Sequence, residues 1–408
     1  MTLLNNSRRS WHVRANAVCF GYAVLGIFAM AFPAGFEYHR WLVVHLFLLG
    51  AVTNCIVTWT EHFTVTLLRV PQPSRKSSAW RLIALNVAII ISLIGVAAGD
   101  GTLVVVGASS LIIVIAAHSY NLFRLSKKAL QNRFAGTVRF YFAGAICLVI
   151  GIPFGVIASF QKDGSPLRDS MHVAHLHANL LGWIAITVLG TFFTLWPTIL
   201  RTKMVDGVMR DAGIALPFLL IGIGTASLGL SLKTRQIAIV GMCLYAIGIG
   251  VVSLPFIRTW RQKAPHDLPT YAISFCAMWL VIGVVSDIVA MAVIGPLSDY
   301  VKWLDRFVPV FLIGFVAQLL LGALSFLVPV ILGGGPAAVR KHIASLSILW
   351  KTRLIALNLG ALFVALGGSL ATTGLALLAF TLALFVGLVV WAVRSGFRAN
   401  GVRVGIVD

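Results

Sequence analysis

Acidic side chains are scarce in this chain: 12 Asp and Glu stand against 32 Lys and Arg in 408 residues, and charged residues make up only 11%. A soluble domain of this length needs far more polar surface to cover its core, so that class is excluded. Cysteine is nearly absent as well. The five that occur, Cys19, Cys55, Cys147, Cys243 and Cys276, lie far apart in apolar stretches with no CxxC spacing, which excludes a disulfide framework or a zinc cluster. The chain has no GxSxG, no HExxH and no GxxxxGK[ST] loop, so the common hydrolase and nucleotide-binding signatures are missing. Gly333-Gly334-Gly335-Pro336 is rich in glycine but reads as a flexible helix exit.

What the chain does have is hydrocarbon: 59% of its residues are hydrophobic and the mean hydropathy is +0.96. Apolar runs long enough to span a bilayer are expected at 15–34, 41–68, 80–99, 102–123, 139–160, 172–200, 212–231, 236–256, 269–293, 307–332, 350–372 and 374–394. The expected fold is therefore an all-α polytopic membrane bundle of about twelve helices, a single transmembrane domain over 1–408. The net charge of +20 does not imply nucleic acid as a partner, because the basic residues flank the spans. They gather in alternate connections: Arg69, Arg75 and Lys76; Arg124, Lys127 and Lys128; Arg201 and Lys203; Arg258, Arg261 and Lys263; Arg340 and Lys341. By the positive-inside rule both termini are expected to be cytoplasmic; the lipid bilayer expected as partner is a bacterial plasma membrane.

An internal repeat underlies this layout. His45-Leu-Phe-Leu-Leu-Gly50, His177-Ala-Asn-Leu-Leu-Gly182 and Pro309-Val-Phe-Leu-Ile-Gly314 are spaced by 132 residues each time, and Gly190 through Leu200 matches Gly322 through Leu332. Three pseudo-symmetric four-helix units follow, at approximately 10–134, 135–266 and 267–396.

Ten histidines carry the informative chemistry. The sixth span opens Met171-His172-Val-Ala-His175-Leu-His177-Ala-Asn179, and the second opens Glu37-Tyr38-His39 and continues to His45. On a regular helix His172 and His175 share a face, whereas His175 and His177 point about 200° apart. A histidine inside a span is costly without a partner, and imidazole suits copper or haem iron. His45 and His177, being repeat equivalents, are the expected cofactor-binding residues; His172, His175, His177 and His39 are the expected metal ligands. His62 and His118 read as packing or proton-handling residues, and His12, His266 and His342 as solvated. Asp287 is the one carboxylate well inside a late span, placed either to balance charge in the histidines' layer or to make an ordinary helix-end hydrogen bond.

His175-Leu-His177-Ala-Asn179-Leu-Leu-Gly182-Trp183, followed by Trp196-Pro197, resembles the histidine helix of the haem–copper oxidase superfamily and of NnrS-type membrane proteins. Together with Arg9-Ser-Trp-His12 and His45 through Asn54, it looks most like the membrane portion joined to copper oxidase or nitrite-reductase-like domains in some actinobacterial proteins. The resemblance implies haem and/or copper as cofactor, a haem ligand at His45, a copper-site region around His177, and a redox or cupredoxin-type protein as partner. It implies electron transfer, nitric oxide or nitrite metabolism, or copper handling. The seventh span lacks histidine and the repeat position in the tenth is Pro309, so a complete oxidase centre is not expected. Two other classes fit the composition. One is a transporter, with helices broken at Pro33, Pro153, Pro197 and Pro329; the other is an inactive subunit of a respiratory complex.

Overall fold

The computed structural model describes residues 2–32, 38–129, 134–333 and 335–398; Pro33, Glu37 and Gly334 lie outside them. The described residues form thirteen helices: α1 Thr2–Ala31, α2 His39–Leu68, α3 Arg75–Ala97, α4 Gly101–Lys127, α5 Ala135–Ser159, α6 Pro166–Leu200, α7 Val208–Ser231, α8 Arg235–Gln262, α9 Leu268–Val293, α10 Leu297–Leu332, α11 Gly335–Leu346, α12 Trp350–Leu366 and α13 Gly368–Arg398. Eleven are long and apolar enough to cross a membrane, and α11 with α12, bent by 43°, makes a twelfth if the pair is one span. The chain is an all-α polytopic bundle. The expected eleventh span, 350–372, instead ends at Leu366, because Gly367 and Gly368 both take positive φ (76° and 58°) and turn the chain.

Two compact units divide the chain: residues 1–28, 264–283 and 304–408 form one, and residues 29–263 with 284–303 form the other. Inside the larger unit, α7 and α8 form a hairpin of very close approach. A Cβ on Gly222 would stand 2.5 Å from the Tyr245 nitrogen, one on Gly229 2.4 Å from the Ala238 nitrogen, and one on Gly241 2.3 Å from the Ala226 nitrogen. Lipid offers no hydrophobic drive for helices to associate, so small residues that admit backbone contact supply it.

The 132-residue offset reappears as pairs of packed residues. A Cβ on Gly182 would meet Cys147 and one on Gly314 would meet Trp279. Gly190 faces Phe140 as Gly322 faces Ala272, and Gly151 faces Asn179 as Gly283 faces Phe311. All three pairs shift by the same interval, the first member of each within the larger unit and the second within the smaller.

The repeat also carries a backbone feature. α2, α6 and α10 each widen into a π-helical stretch, at Leu46–Val52, Ala178–Ile186 and Leu312–Ala317. The helices expected to break at Pro153, Pro197 and Pro329 run unbroken through those prolines. Helical irregularity sits at the π stretches instead, where carbonyls are freed for side chains: Tyr245 Oη donates to the Leu181 carbonyl at 2.8 Å.

Gly222→Val is expected to lower the thermal midpoint of the detergent-solubilised protein, at a cost of about 1–3 kcal/mol from overpacking. Gly224→Val, on the open face of the same helix with nothing within 4 Å, should leave the midpoint nearly unchanged.

Candidate functional site

The histidines of the larger unit separate into two groups, one on either side of α6. On one side, His45 from α2 meets His175 from α6, their ring centres 6.2 Å apart and their planes inclined by 25°. His45 Nδ1–H donates to the Trp41 carbonyl at 2.8 Å, and the Trp41 indole stacks on its face at 4.2 Å. His175 Nδ1–H donates to the Gly151 carbonyl at 2.9 Å. Each ring is thereby fixed in the tautomer that leaves Nε2 with its lone pair, the arrangement that second-shell carbonyls impose on metal-bound imidazoles.

Glycines on α5 make the room for this side of α6. A Cβ at Gly155 would stand 2.4 Å from His175 Nδ1, and one at Gly151 would stand 2.1 Å from Asn179 Oδ1. The Asn179 amide nitrogen lies 3.1 and 3.3 Å from the two nitrogens of His175, so it is off the lone-pair axis of either. Asn179 Oδ1 is buried with no partner. His172 lies close enough to His45 and His175 to interact with both electrostatically.

On the opposite side, His177 is buried and both its nitrogens are engaged. Nδ1–H donates to the Val173 carbonyl at 2.8 Å, and Nε2 lies 2.7 Å from Asp287 Oδ2 on α9. Tyr300 on α10 donates its hydroxyl to Asp287 Oδ1 at 2.5 Å and lies 3.5 Å from His177 Nε2. The result is a buried chain of imidazole, carboxyl and phenol, with one proton held between Nε2 and Oδ2. Taking either charge out of water is costly, and the other members offset that cost because both imidazole nitrogens, both carboxylate oxygens and the phenol proton have partners.

The symmetry-matched pair expected from the sequence, His45 with His177, is therefore not the pair that forms. His45 meets His175, and His177 meets Asp287. His39 is spent on its Nε2–H bond to the Ala29 carbonyl at 2.7 Å. Among the described residues no group of three or more His, Cys, Asp or Glu is arranged to hold a metal ion. His12 and His342 are not solvated as expected: both are buried within the smaller unit, because α1 and α11 extend their helices over these positions and pack them inward. His266 is exposed beside Asp267. His118 is buried, 3.0 Å from Thr60 Oγ1.

Tyr300 was not singled out in the sequence. It lies 13 residues past Asp287, in the next helix, and no spacing rule joins the two across the turn between them. Searches against protein-family models and curated proteins find no match for this chain.

Removing one partner of a buried pair strands the other, so Asp287→Ala is expected to cost about 3–5 kcal/mol in thermal unfolding of the solubilised protein. The double variant His177→Leu with Asp287→Leu removes both polar groups and should cost clearly less than Asp287→Ala alone.

Proposed function

We propose that this integral membrane protein binds haem between His45 and His175 and works in electron transfer, with both termini on the cytoplasmic side. One observation carries the reading: two imidazoles from different spans, each with Nδ1–H tied to a carbonyl, have ring centres 6.2 Å apart. Two metal–nitrogen bonds of about 2 Å with the two ring radii span roughly 6 Å, so the spacing suits one ion ligated from both sides.

The donor set selects among ions. A metal that takes three or four ligands from the protein does not fit, since no such cluster is assembled among the described residues. Haem iron fits, because the porphyrin supplies four ligands and the protein need supply only two imidazoles. Bound there, haem would supply one-electron redox chemistry.

The chain's own residues supply orientation and electrostatics. The carbonyls of Trp41 and Gly151 hold the ring planes, and the Trp41 indole covers one face of His45. On the other side of α6, the His177–Asp287–Tyr300 chain holds a proton within the bundle. Nitric oxide and nitrite belong to the resemblance alone; nothing in the described side-chain geometry points to either.

The optical spectrum of the full chain, purified from cells supplied with haem precursor, tests the assignment. A Soret band is expected that His45→Ala and His175→Ala each abolish and that His177→Ala leaves in place. A band lost only in His177→Ala, or a protein with neither haem nor copper, overturns the reading; copper without haem reassigns the pair as a two-coordinate copper site.

A further inference from the structure

The buried chain of His177, Asp287 and Tyr300 lies next to a space that reaches the surface. A cavity of about 180 Å³ opens at the end of the larger unit, where α7 stops, α8 starts, α9 stops and α10 starts. Its lining runs from surface to interior: Lys233, Gly295 and Pro296 are exposed, whereas Ala238, Met291 and Tyr300 are buried. Several waters fit a space of this size.

Two features of the helices bring the buried part of the cavity close to Asp287. On α9, Asp287 lies four residues before Met291, about 6 Å along the axis and on the same face. On α10, Tyr300 lines the cavity and donates its hydroxyl to Asp287 Oδ1 at 2.5 Å. Among the described residues Tyr300 alone belongs both to the cavity wall and to the hydrogen-bonded chain. The charged groups around it are engaged elsewhere. Arg235 donates to the Met291 and Gly295 carbonyls, Asp299 pairs with Lys302 at 2.9 Å, and Lys233 stands exposed at the rim.

We propose that the His177–Asp287 pair is a proton-exchange site, unloaded and reloaded through the Tyr300 hydroxyl from the aqueous phase at this end of the unit. Release starts with the shared proton on Oδ2. The carboxyl turns about its Cβ–Cγ bond and gives that proton to Tyr300 Oη, while Tyr300 passes its own hydroxyl proton to water in the cavity. The pair is left as neutral imidazole and carboxylate, and the reverse sequence reloads it. With both termini cytoplasmic, as proposed for the chain, that aqueous phase is the outer one. The site is independent of any cofactor between His45 and His175.

The test uses the full chain in lipid nanodiscs, with histidine labelled by ¹⁵N and transferred into D₂O. Solid-state NMR reads the rate at which the His177 Nε2 proton exchanges, the signal being identified by its loss in His177→Gln. Leu297→Trp narrows the cavity and leaves every bond of the chain in place; it should slow the exchange about tenfold or more. Tyr300→Phe removes the relay and should slow it as well. Val293→Trp, on an exposed position of α9 outside the cavity, should leave the rate unchanged.

Should Tyr300→Phe fail to fold, Leu297→Trp decides. No exchange in the unaltered protein overturns the proposal. So does a rate that Leu297→Trp leaves unchanged, or that Val293→Trp slows equally.

Discussion

Within hydrocarbon a polar side chain finds its partner inside the protein or destabilises it by several kcal/mol, and this constraint accounts for the paired polar residues of the spans. Both nitrogens of His177 are engaged for this reason, and so is each carboxylate oxygen of Asp287. The same rule governs the amides. In the larger unit Asn54 and Asn86 exchange hydrogen bonds of 3.2 and 2.9 Å. In the smaller unit Gln318 and Asn358 do the same, and Trp279 donates to Asn358 Oδ1 at 2.9 Å. Asn54 and Gln318 stand two repeat intervals apart, each just past a π-helical stretch. A widened turn shifts the face on which later residues emerge, so it lets one helix aim polar groups toward different neighbours above and below it.

Much of the architecture was legible because hydropathy along a membrane chain is a direct record of what faces lipid. The helices α6 and α10 begin at Pro166 and Leu297, ahead of the apolar runs expected at 172–200 and 307–332. Their first two turns carry Arg168, Asp169, Asp299 and Lys302, which mask a helix from any apolar window while costing nothing outside the hydrocarbon. The π stretches have no signature in the sequence, since their residues, Leu-Phe-Leu-Leu-Gly-Ala-Val in α2, suit an ordinary helix equally well. The bend between α11 and α12 is likewise made by backbone turns, with Leu349 at φ 52°, and not by proline.

The histidine pairing was only half legible, and the reason is geometric. A repeat places equivalent residues in equivalent surroundings; it does not place them in contact unless both lie on the axis that relates them. His45 and His177 share a register, and each Nδ1–H donates to the carbonyl four residues before it, at Trp41 and Val173. That shared local geometry is what the repeat encodes. Their ring partners come from elsewhere: His175 for one, Asp287 for the other. The opposed directions of His175 and His177 follow from helix geometry and were readable, but which neighbour each would meet depended on the packing of α5, α9 and α10.

Divergence between repeats shows how that packing made room for two different groups on one helix. Against Gly151 and Gly155 of α5, the second repeat sets His175 and Asn179, a polar pair that needs the space two absent Cβ atoms provide. One interval later the corresponding residues are Phe307 and Phe311, whose rings lie 6.3 Å apart, and Phe311 fills the space at Gly283. The residue corresponding to Gly155 is Asp287. With imidazole and amide replaced by phenyl rings, the third repeat has no need of a glycine at that position, and a carboxylate there is free to bond His177 of the second. Glycine is kept at 151 and 283, at 182 and 314, and at 190 and 322, so close approach is admitted in both repeats. The residues set against those glycines are the ones that change, Cys147 to Trp279, Phe140 to Ala272 and Asn179 to Phe311.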